Sequence, residues 1–378
     1  MRKAFNSFKK FELMNRNILK LYFLFFLATS FICCHSKKKI KNLAGYEVST
    51  DSINDFLKSR MESLNIPGLS IAVINDNNVV YHQTFGYANL EKKLPVTNKT
   101  IFEGASMSKS VFAFFVMKFV EEEKLDLDKP LHEYHPYKDI AHDDRYKKIT
   151  ARMVLSHRTG FPNWRENEDD KKLKIKFDPG TDYEYSGEGY QYLAMVLKHI
   201  ENTDWKGLEA LFQEKIAEPL KMEHTVFIPN PKIYEKKAEP YNNQKEWIDW
   251  KNNYWYKKDK GKFVAPSSIH SEPLDFTKWM IGVMDKKVLS QSSYEELFKH
   301  HSKISTSSTG ISVYYTLGFL TADKEYRNTY FHSGNNAGFT CGYLLDTEKD
   351  WGFVLFTNSE KGEKLTDEVW NYFEKEYK

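Results

Sequence analysis

Residues 108–122 restrict the fold more than any other part of the sequence. Val111, Phe112, Phe114, Phe115, Val116, Phe119 and Val120 spread apolar side chains almost all round a helix of that length. Such a helix has no face to give to water and must run through the middle of a domain. The chain can cover it: 378 residues, 41% hydrophobic and 15% aromatic, suffice for one large domain or two. At the head of the helix stand Ser106-Met107-Ser108-Lys109. Three residues apart, Ser106 and Lys109 share one face of the first turn. Burial disfavours the ammonium form, and a neutral lysine is what a serine hydroxyl needs beside it to become a nucleophile. The helix N-terminus also aims backbone N–H groups at an oxyanion formed there. Ser-x-x-Lys alone is not specific, since Ser36 and Lys39 repeat it in a polar stretch. Its competing reading makes Ser106 a helix cap and Lys109 a solvated residue.

The flanking patterns supply the rest of the architecture. Ile53, Phe56, Leu57, Met61 and Leu64 fall at helical spacing before Pro67-Gly68. Residues 69–74 and 79–85 read as strands around Asn75-Asp76-Asn77-Asn78, a hairpin signal. Helical patterns at 150–156, 190–200 and 208–216 make the middle mainly helical, broken by a charged loop at 165–172 and an aromatic, lysine-rich stretch at 247–262. Strands return at 314–321, 330–333, 340–345 and 351–358, followed by an amphipathic helix at 365–377. Strands at both ends with helices between predict an α+β fold whose sheet is assembled from both termini.

The N-terminus reads as a targeting segment: basic residues up to Lys20, then an uncharged run at 21–34 that is short for a membrane span and suited to the apolar core of a signal peptide. Met14 offers an alternative start. Cys33 and Cys34, followed by His35-Ser36-Lys37-Lys38-Lys39, look like the end of a bacterial lipoprotein signal, although Phe31 and Ile32 are larger than the residues usual before the lipidated cysteine. The expected division is a signal peptide at 1–34, a tether at 35–49 and a folded domain at 50–378, exported to the cell envelope either as a periplasmic protein or held to the membrane by lipid on Cys33 or Cys34. Cys341, the third cysteine, lies in an expected strand, so no disulfide framework exists. Net charge is +3 with lysines scattered among acids, which gives nucleic acid no basic stripe. His132-Glu133-Tyr134-His135 lacks the spacing of a helical zinc site, and no metal or cofactor is expected.

Three further segments complete the pattern: Leu155-Ser156-His157-Arg158-Thr159-Gly160, Tyr185-Ser186-Gly187 ahead of a helix, and His332-Ser333-Gly334-Asn335 at the end of a strand. With Ser106 and Lys109, in this order and spacing, they resemble the serine β-lactamase and penicillin-binding protein superfamily. The likeness is to its branch of class C β-lactamases, D-alanyl-D-alanine carboxypeptidases and family VIII esterases, and it extends over about residues 50–378. Segments 123–130, 219–222 and 336–339 also look like that family's connecting stretches.

The resemblance implies a β-lactamase/transpeptidase-like fold, with a mainly antiparallel five-stranded sheet and an inserted helical region. It implies Ser106 as the nucleophile that forms an acyl-enzyme, Lys109 and Tyr185 as a coupled acid–base pair, and the backbone N–H groups of Ser106 and Asn335 as the oxyanion hole. Gly187, His332, Ser333, Gly334 and Asn335 would then line the substrate. His332 replaces the commoner lysine and holds a substrate carboxylate less firmly. Gly187 stands where the family often has asparagine, so no side-chain amide there orients an acylamino group, unless a neighbour supplies the contact. An ester or small amide is therefore the expected small-molecule or peptide substrate. The alternatives are a genuine β-lactamase or D-alanyl-D-alanine carboxypeptidase, or a catalytically idle, ligand-binding surface lipoprotein. His157 reads as part of a structural loop near the site, and the aromatic residues at 247–256 either pack on the helical region or line a cleft.

Overall fold

The computed structural model describes residues 38–326 and 328–376. The segment expected to be a signal peptide, with Cys33 and Cys34, lies outside the described residues. The chain enters through a hairpin of β1 (Lys39–Lys41) and β2 (Glu47–Ser49) into helix α1 (Thr50–Leu64). Ser49 Oγ accepts from Ser52 N–H at the start of α1, and Asn65 in the left-handed region ends it. The helix buries Ile53, Leu57, Met61 and Leu64, the residues whose spacing announces it. The expected tether at 35–49 needs correction from Lys39 onward. Ile40, Leu43 and Val48 are buried with α1, the Trp351 indole donates to Lys41 O at 2.9 Å, and Leu43 N–H donates to Phe373 O at 3.0 Å. Three apolar residues among lysines are too few to show a period, yet enough to fasten a hairpin.

Next come β3 (Gly68–Asn75) and β4 (Asn78–Asn89), joined by Asp76 and Asn77 with φ of 49° and 55°. Two left-handed residues in succession make the tight turn that suits strand twist, and Asn and Asp tolerate that region best. The two-residue β5 (Leu94–Pro95) and β6 (Phe102–Ala105) lead to α2 (Ser108–Glu121). The helical region contributes α3 (Ala151–Leu155), α4 (Gly187–Ile200), α5 (Trp205–Phe212), α6 (Pro231–Lys236) and α7 (Tyr254–Asp259). After β7 (Ile269–Ser271) come α8 (Pro273–Met284) and α9 (Gln291–Phe298). The chain then runs through β8 (Ser302–Thr306), β9 (Ser312–Tyr315), β10 (Leu320–Ala322), β11 (Thr329–Asn336), β12 (Phe339–Asp346), β13 (Trp351–Thr357) and α10 (Gly362–Glu374). Among the described residues no helix is long and apolar enough to cross a membrane.

The main sheet is antiparallel throughout, in the order β5-β4-β3-β13-β12-β11-β10-β9-β8. Its centre joins strands from both ends of the chain, as expected. It has nine strands rather than five, because β8, β9 and β10 extend one edge and the two-residue β5 is added at the other. β8 reads Ser-Lys-Ile-Ser-Thr, a polar edge strand with no apolar alternation to announce it. Residues 314–321, read as one strand, fold back at Gly318 into β9 and β10.

Side chains alternate between two cores across this sheet. Leu69, Ile71, Val73, Leu344, Phe353 and Leu355 face α1 and α10. Ala72, Tyr343, Leu345, Val354 and Phe356 face the larger core that surrounds α2. Phe112, Phe114, Phe115, Val116 and Phe119 of α2 are completely buried there. The all-round apolar helix therefore does run through the middle of the domain.

Candidate active site

Ser106 sits in the turn between β6 and α2. Ala105, just before it, has a φ of 40°, a left-handed conformation that a residue with a Cβ rarely adopts. Strain of this kind persists only where its surroundings over-determine it. Here Ser108 Oγ donates to Ala105 O at 2.5 Å and accepts from Ile269 N–H at 2.9 Å, which ties the turn to β7. One helical turn on, Lys109 Nζ lies 3.2 Å from Ser106 Oγ and 3.0 Å from Pro266 O. The lysine is 1% exposed, and burial lowers its ammonium to about 7. Among the described residues no carboxylate is within hydrogen-bond distance to hold the charge, and the Tyr185 ring centroid lies 4.6 Å from Nζ.

Tyr185 reaches the same point from the opposite side. Burial pushes its pKa well above the usual phenol range, an effect that the proximity of Ser106 only partly offsets. The phenol therefore keeps its proton at neutral pH. The segment that carries it is held by His157, whose Nδ1 accepts from Ser186 N–H at 3.0 Å and whose ring centre is 4.4 Å from that of Tyr185. His157 is fully buried and its pKa is pushed well down, by burial first and then by Lys109. It remains neutral, with Nδ1 as the acceptor. Ser186 caps α4 by accepting from Gly189 N–H and donates from Oγ to Pro162 O at 2.9 Å.

The third wall is β11. β10 covers this strand only at Tyr330 and Phe331, so the edge beyond them is free for other neighbours. A Cβ on Gly334 would lie 2.7 Å from Gly104 O and 2.9 Å from the Ala105 Cβ. Glycine is thus what lets β11 approach the turn before Ser106. Ser333 and Asn335 are exposed, and His332 and Gly334 alternate with them toward the interior. His332 departs from the expectation of a partly charged carboxylate holder. It is 4% exposed, its Nδ1 donates to Ser333 O at 2.6 Å, and its Nε2 accepts from Tyr315 O–H at 3.0 Å. Burial, helped by Lys109, lowers its pKa to about 3. Both ring nitrogens are occupied and the ring is uncharged. Tyr315 has no sequence motif to mark it; it meets His332 only because β9 and β11 flank β10.

Gly187 opens α4, and the space beside it is taken. A Cβ there would lie 2.9 Å from Asn163 O and 3.1 Å from Asn163 Oδ1. Gly187 N–H donates to Asn163 Oδ1 at 3.0 Å, leaving that side-chain amide its two N–H donors. Arg165 fixes the loop, donating through Nε and Nη2 to Glu188 at 2.9 and 2.8 Å. Asn163 is 24 residues from Gly187, too far for a sequence motif to connect them.

Elsewhere, His132 packs against Tyr146, and His135 against His199. Among the described residues no group of three or more His, Cys, Asp or Glu residues is placed to hold a metal ion. The structure thus brings Ser106, Lys109, Tyr185, Gly187 and the 332–335 strand to one place.

The Beta-lactamase family model matches residues 53–374. The chain is 23% identical over 343 residues to Protein flp of Staphylococcus aureus (strain MRSA252), covering 85% of this chain and 66% of that protein. It thus spans just under two thirds of the length of that relative. It is 24% identical over 339 residues to Putative penicillin-binding protein PbpX of Bacillus subtilis (strain 168), covering 87% of this chain and 80% of that one. The fold is also that of the octameric penicillin-binding protein homologue from Pyrococcus abyssi, with a TM-score of 0.67 at 23% identity over 83% of this chain and 74% of the other.

Proposed function

The chain belongs to the Beta-lactamase family, and on that premise we propose that it is a serine hydrolase that works through an acyl-enzyme on Ser106. The observation that carries this reading is the buried Lys109 Nζ, 3.2 Å from Ser106 Oγ and lowered to about 7. At neutral pH a large share of Lys109 is unprotonated, so it takes the Ser106 proton as Oγ attacks the substrate carbonyl. The carbonyl oxygen becomes an oxyanion facing the N–H groups of Ser106 and Asn335. When the bond to the leaving group breaks, Tyr185 gives its proton to that group and is reprotonated from Lys109. Water then attacks the ester carbon, Lys109 takes its proton, and Ser106 Oγ leaves with that proton handed on from Lys109, which restores the starting state. The division of labour follows from burial, which keeps Tyr185 protonated and Lys109 partly neutral.

An ester or uncharged amide is the substrate that suits this site, because β-lactams and D-alanyl-D-alanine peptides carry a carboxylate and His332 presents no cation to receive it. A second reading, the β-lactamase or carboxypeptidase, draws support from Asn163, whose amide occupies the space beside Gly187. Treatment with a fluorophosphonate followed by peptide mass spectrometry tests the reaction, with an adduct on Ser106 as the expected result. Its absence would favour the idle, ligand-binding reading. Turnover of a chromogenic ester beside nitrocefin and a D-Ala-D-Ala peptide tests the substrate, and hydrolysis of nitrocefin alone would reverse the preference. Delivery to the cell envelope through lipid on Cys33 or Cys34 is part of the same proposal. Mass analysis of the mature N-terminus tests that part.

A further inference from the structure

The aromatic stretch at 247–262 has two sides. The inner one borders a cavity whose wall it shares with Trp164 and Asn335. The outer one holds Trp247, 46% exposed, and Tyr254, 59% exposed, neither of which lines that cavity. The turn between β4 and β5 adds Leu94, 51% exposed. It adjoins the same strip, because Leu90 N–H donates to the Tyr241 hydroxyl at 2.7 Å and Tyr241 is bridged to Trp247. Exposed apolar side chains scattered singly are ordinary; three large ones on adjoining segments form a patch.

The exposed rings are fixed in place. Trp247 and Trp250 both donate from Nε1 to Glu239 Oε2, at 2.9 and 3.0 Å, and Tyr254 leans edge-on against Trp255 at 5.4 Å. Charge on the strip is unevenly engaged. Residues 245–262 contain six lysines and three acids, a surplus as large as the net +3 of the whole chain. The acids are engaged within the strip or turned inward: Glu246 accepts from Asn242 Nδ2 at 2.8 Å, Asp249 accepts from Asn252 Nδ2 at 2.7 Å, and Asp259 lines the cavity. Lys258 pairs with Glu166 at 2.5 Å. Lys245, Lys251 and Lys257, by contrast, take part in no ion pair or side-chain hydrogen bond among the described residues. On α7, Tyr254 and Lys257 are three residues apart and share a face.

We propose that this outer strip docks on an anionic lipid surface, with Trp247, Tyr254 and Leu94 entering the headgroup layer and Lys245, Lys251 and Lys257 facing lipid phosphates. Tryptophan and tyrosine rings settle at the boundary between headgroups and acyl chains, and unpaired lysines beside them are drawn to anionic lipid. A second copy of the chain is the poorer occupant, because a two-fold contact through this strip would set its free lysines against their own kind. The contact is independent of the chemistry at Ser106 and of any attachment through the N-terminus.

The test is quenching of tryptophan fluorescence in the full chain by vesicles of phosphatidylglycerol and phosphatidylcholine, the latter brominated in its acyl chains. No tryptophan precedes Trp164 in the sequence, so attachment through the N-terminus by itself brings no indole into the bilayer. Quenching is expected on these vesicles, with little on brominated phosphatidylcholine alone and reversal by added salt. Trp247→Phe should remove most of it, while Trp370→Phe, on α10, should leave it unchanged. Replacement of Lys245, Lys251 and Lys257 together by Gln should raise the lipid concentration for half-quenching about 100-fold. Each variant is checked for folding by circular dichroism. Absence of quenching on the anionic vesicles overturns the proposal, as does equal quenching on phosphatidylcholine alone. Quenching that survives Trp247→Phe, or that the lysine replacements do not move, overturns it as well. Dimerisation that Trp247→Ala abolishes, without quenching by lipid, overturns it in favour of a second copy of the chain.

Discussion

On the face of the sheet covered by α1 and α10, burial is almost wholly apolar. Leu57, Met61, Leu355, Val369 and Phe373 meet side by side, and charge stays at the rim, where Arg60 grips Glu368 through two hydrogen bonds of 2.6 and 2.5 Å. On the face that surrounds α2, the same apolar packing encloses Lys109, His157 and His332, none more than 4% exposed. Both faces are dry, but only the second holds ionisable groups in forms that water would not favour. Hydrophobic burial is the source of stability on one face and the means of setting protonation states on the other.

Replacement of Lys109 by Met should separate the two roles most sharply. Acylation of Ser106 is expected to fall about 10³-fold with the base removed, while the melting temperature at pH 6 stays the same or rises, because no ammonium remains to be buried. A variant that loses stability along with activity would break the comparison. On the opposite face, Phe373→Ala should destabilise by about 3–5 kcal/mol in urea unfolding, with the labelling rate of the folded protein unchanged. Tyr185→Phe is expected to slow turnover about 10²-fold with little change in melting temperature. Gly187→Ala places a Cβ 2.9 Å from Asn163 O and should cost about 1–3 kcal/mol.

The smallest effects are those of pH, and their signs differ between two buried groups. Lys109, lowered to about 7, is protonated in the unfolded chain up to about 10.4. The unfolded state thus binds the extra proton between these values, and stability should rise with pH across that window. Glu209 is raised to about 7 by burial, although it accepts from the N–H groups of Phe227 and Ile228. Here the folded state holds the extra proton, so this contribution should decline as pH rises from about 4.3 through 7. Urea titrations of Lys109→Met and Glu209→Gln, each against the natural protein at pH 5, 7 and 9, resolve the two slopes. Acylation itself should rise through pH 7 as Lys109 loses its proton.

How much of this was legible in the sequence follows from the range of each interaction. The α1 helix, the Asn-rich hairpin and the Ser106–Lys109 pair are local, and their periods and spacings announce them. The edge strand β8 has no apolar alternation, and the hairpin at 39–49 has three apolar residues among lysines, so neither leaves a signal. The neutrality of His332 depends on Tyr315, and the occupied space beside Gly187 depends on Asn163. Both are encounters made by folding between residues with no motif in common. The aromatic stretch at 247–262 was visible, but whether it packed or lined a cleft depended on Trp164 and Asn335, which are remote in sequence.

The position of β13, between β3 and β12, has a consequence for how the protein comes into being. Residues 68–75 cannot complete their pairing until residues 351–357 have been synthesised and brought back across the intervening domain. Contacts so distant along the chain slow folding, because the loop must close before it is rewarded. The apolar strand β3 and the helix α2 emerge early and wait for their partner. A ribosome-bound chain stopped before residue 351 should therefore remain open to protease at β3, and release of the full chain should close it.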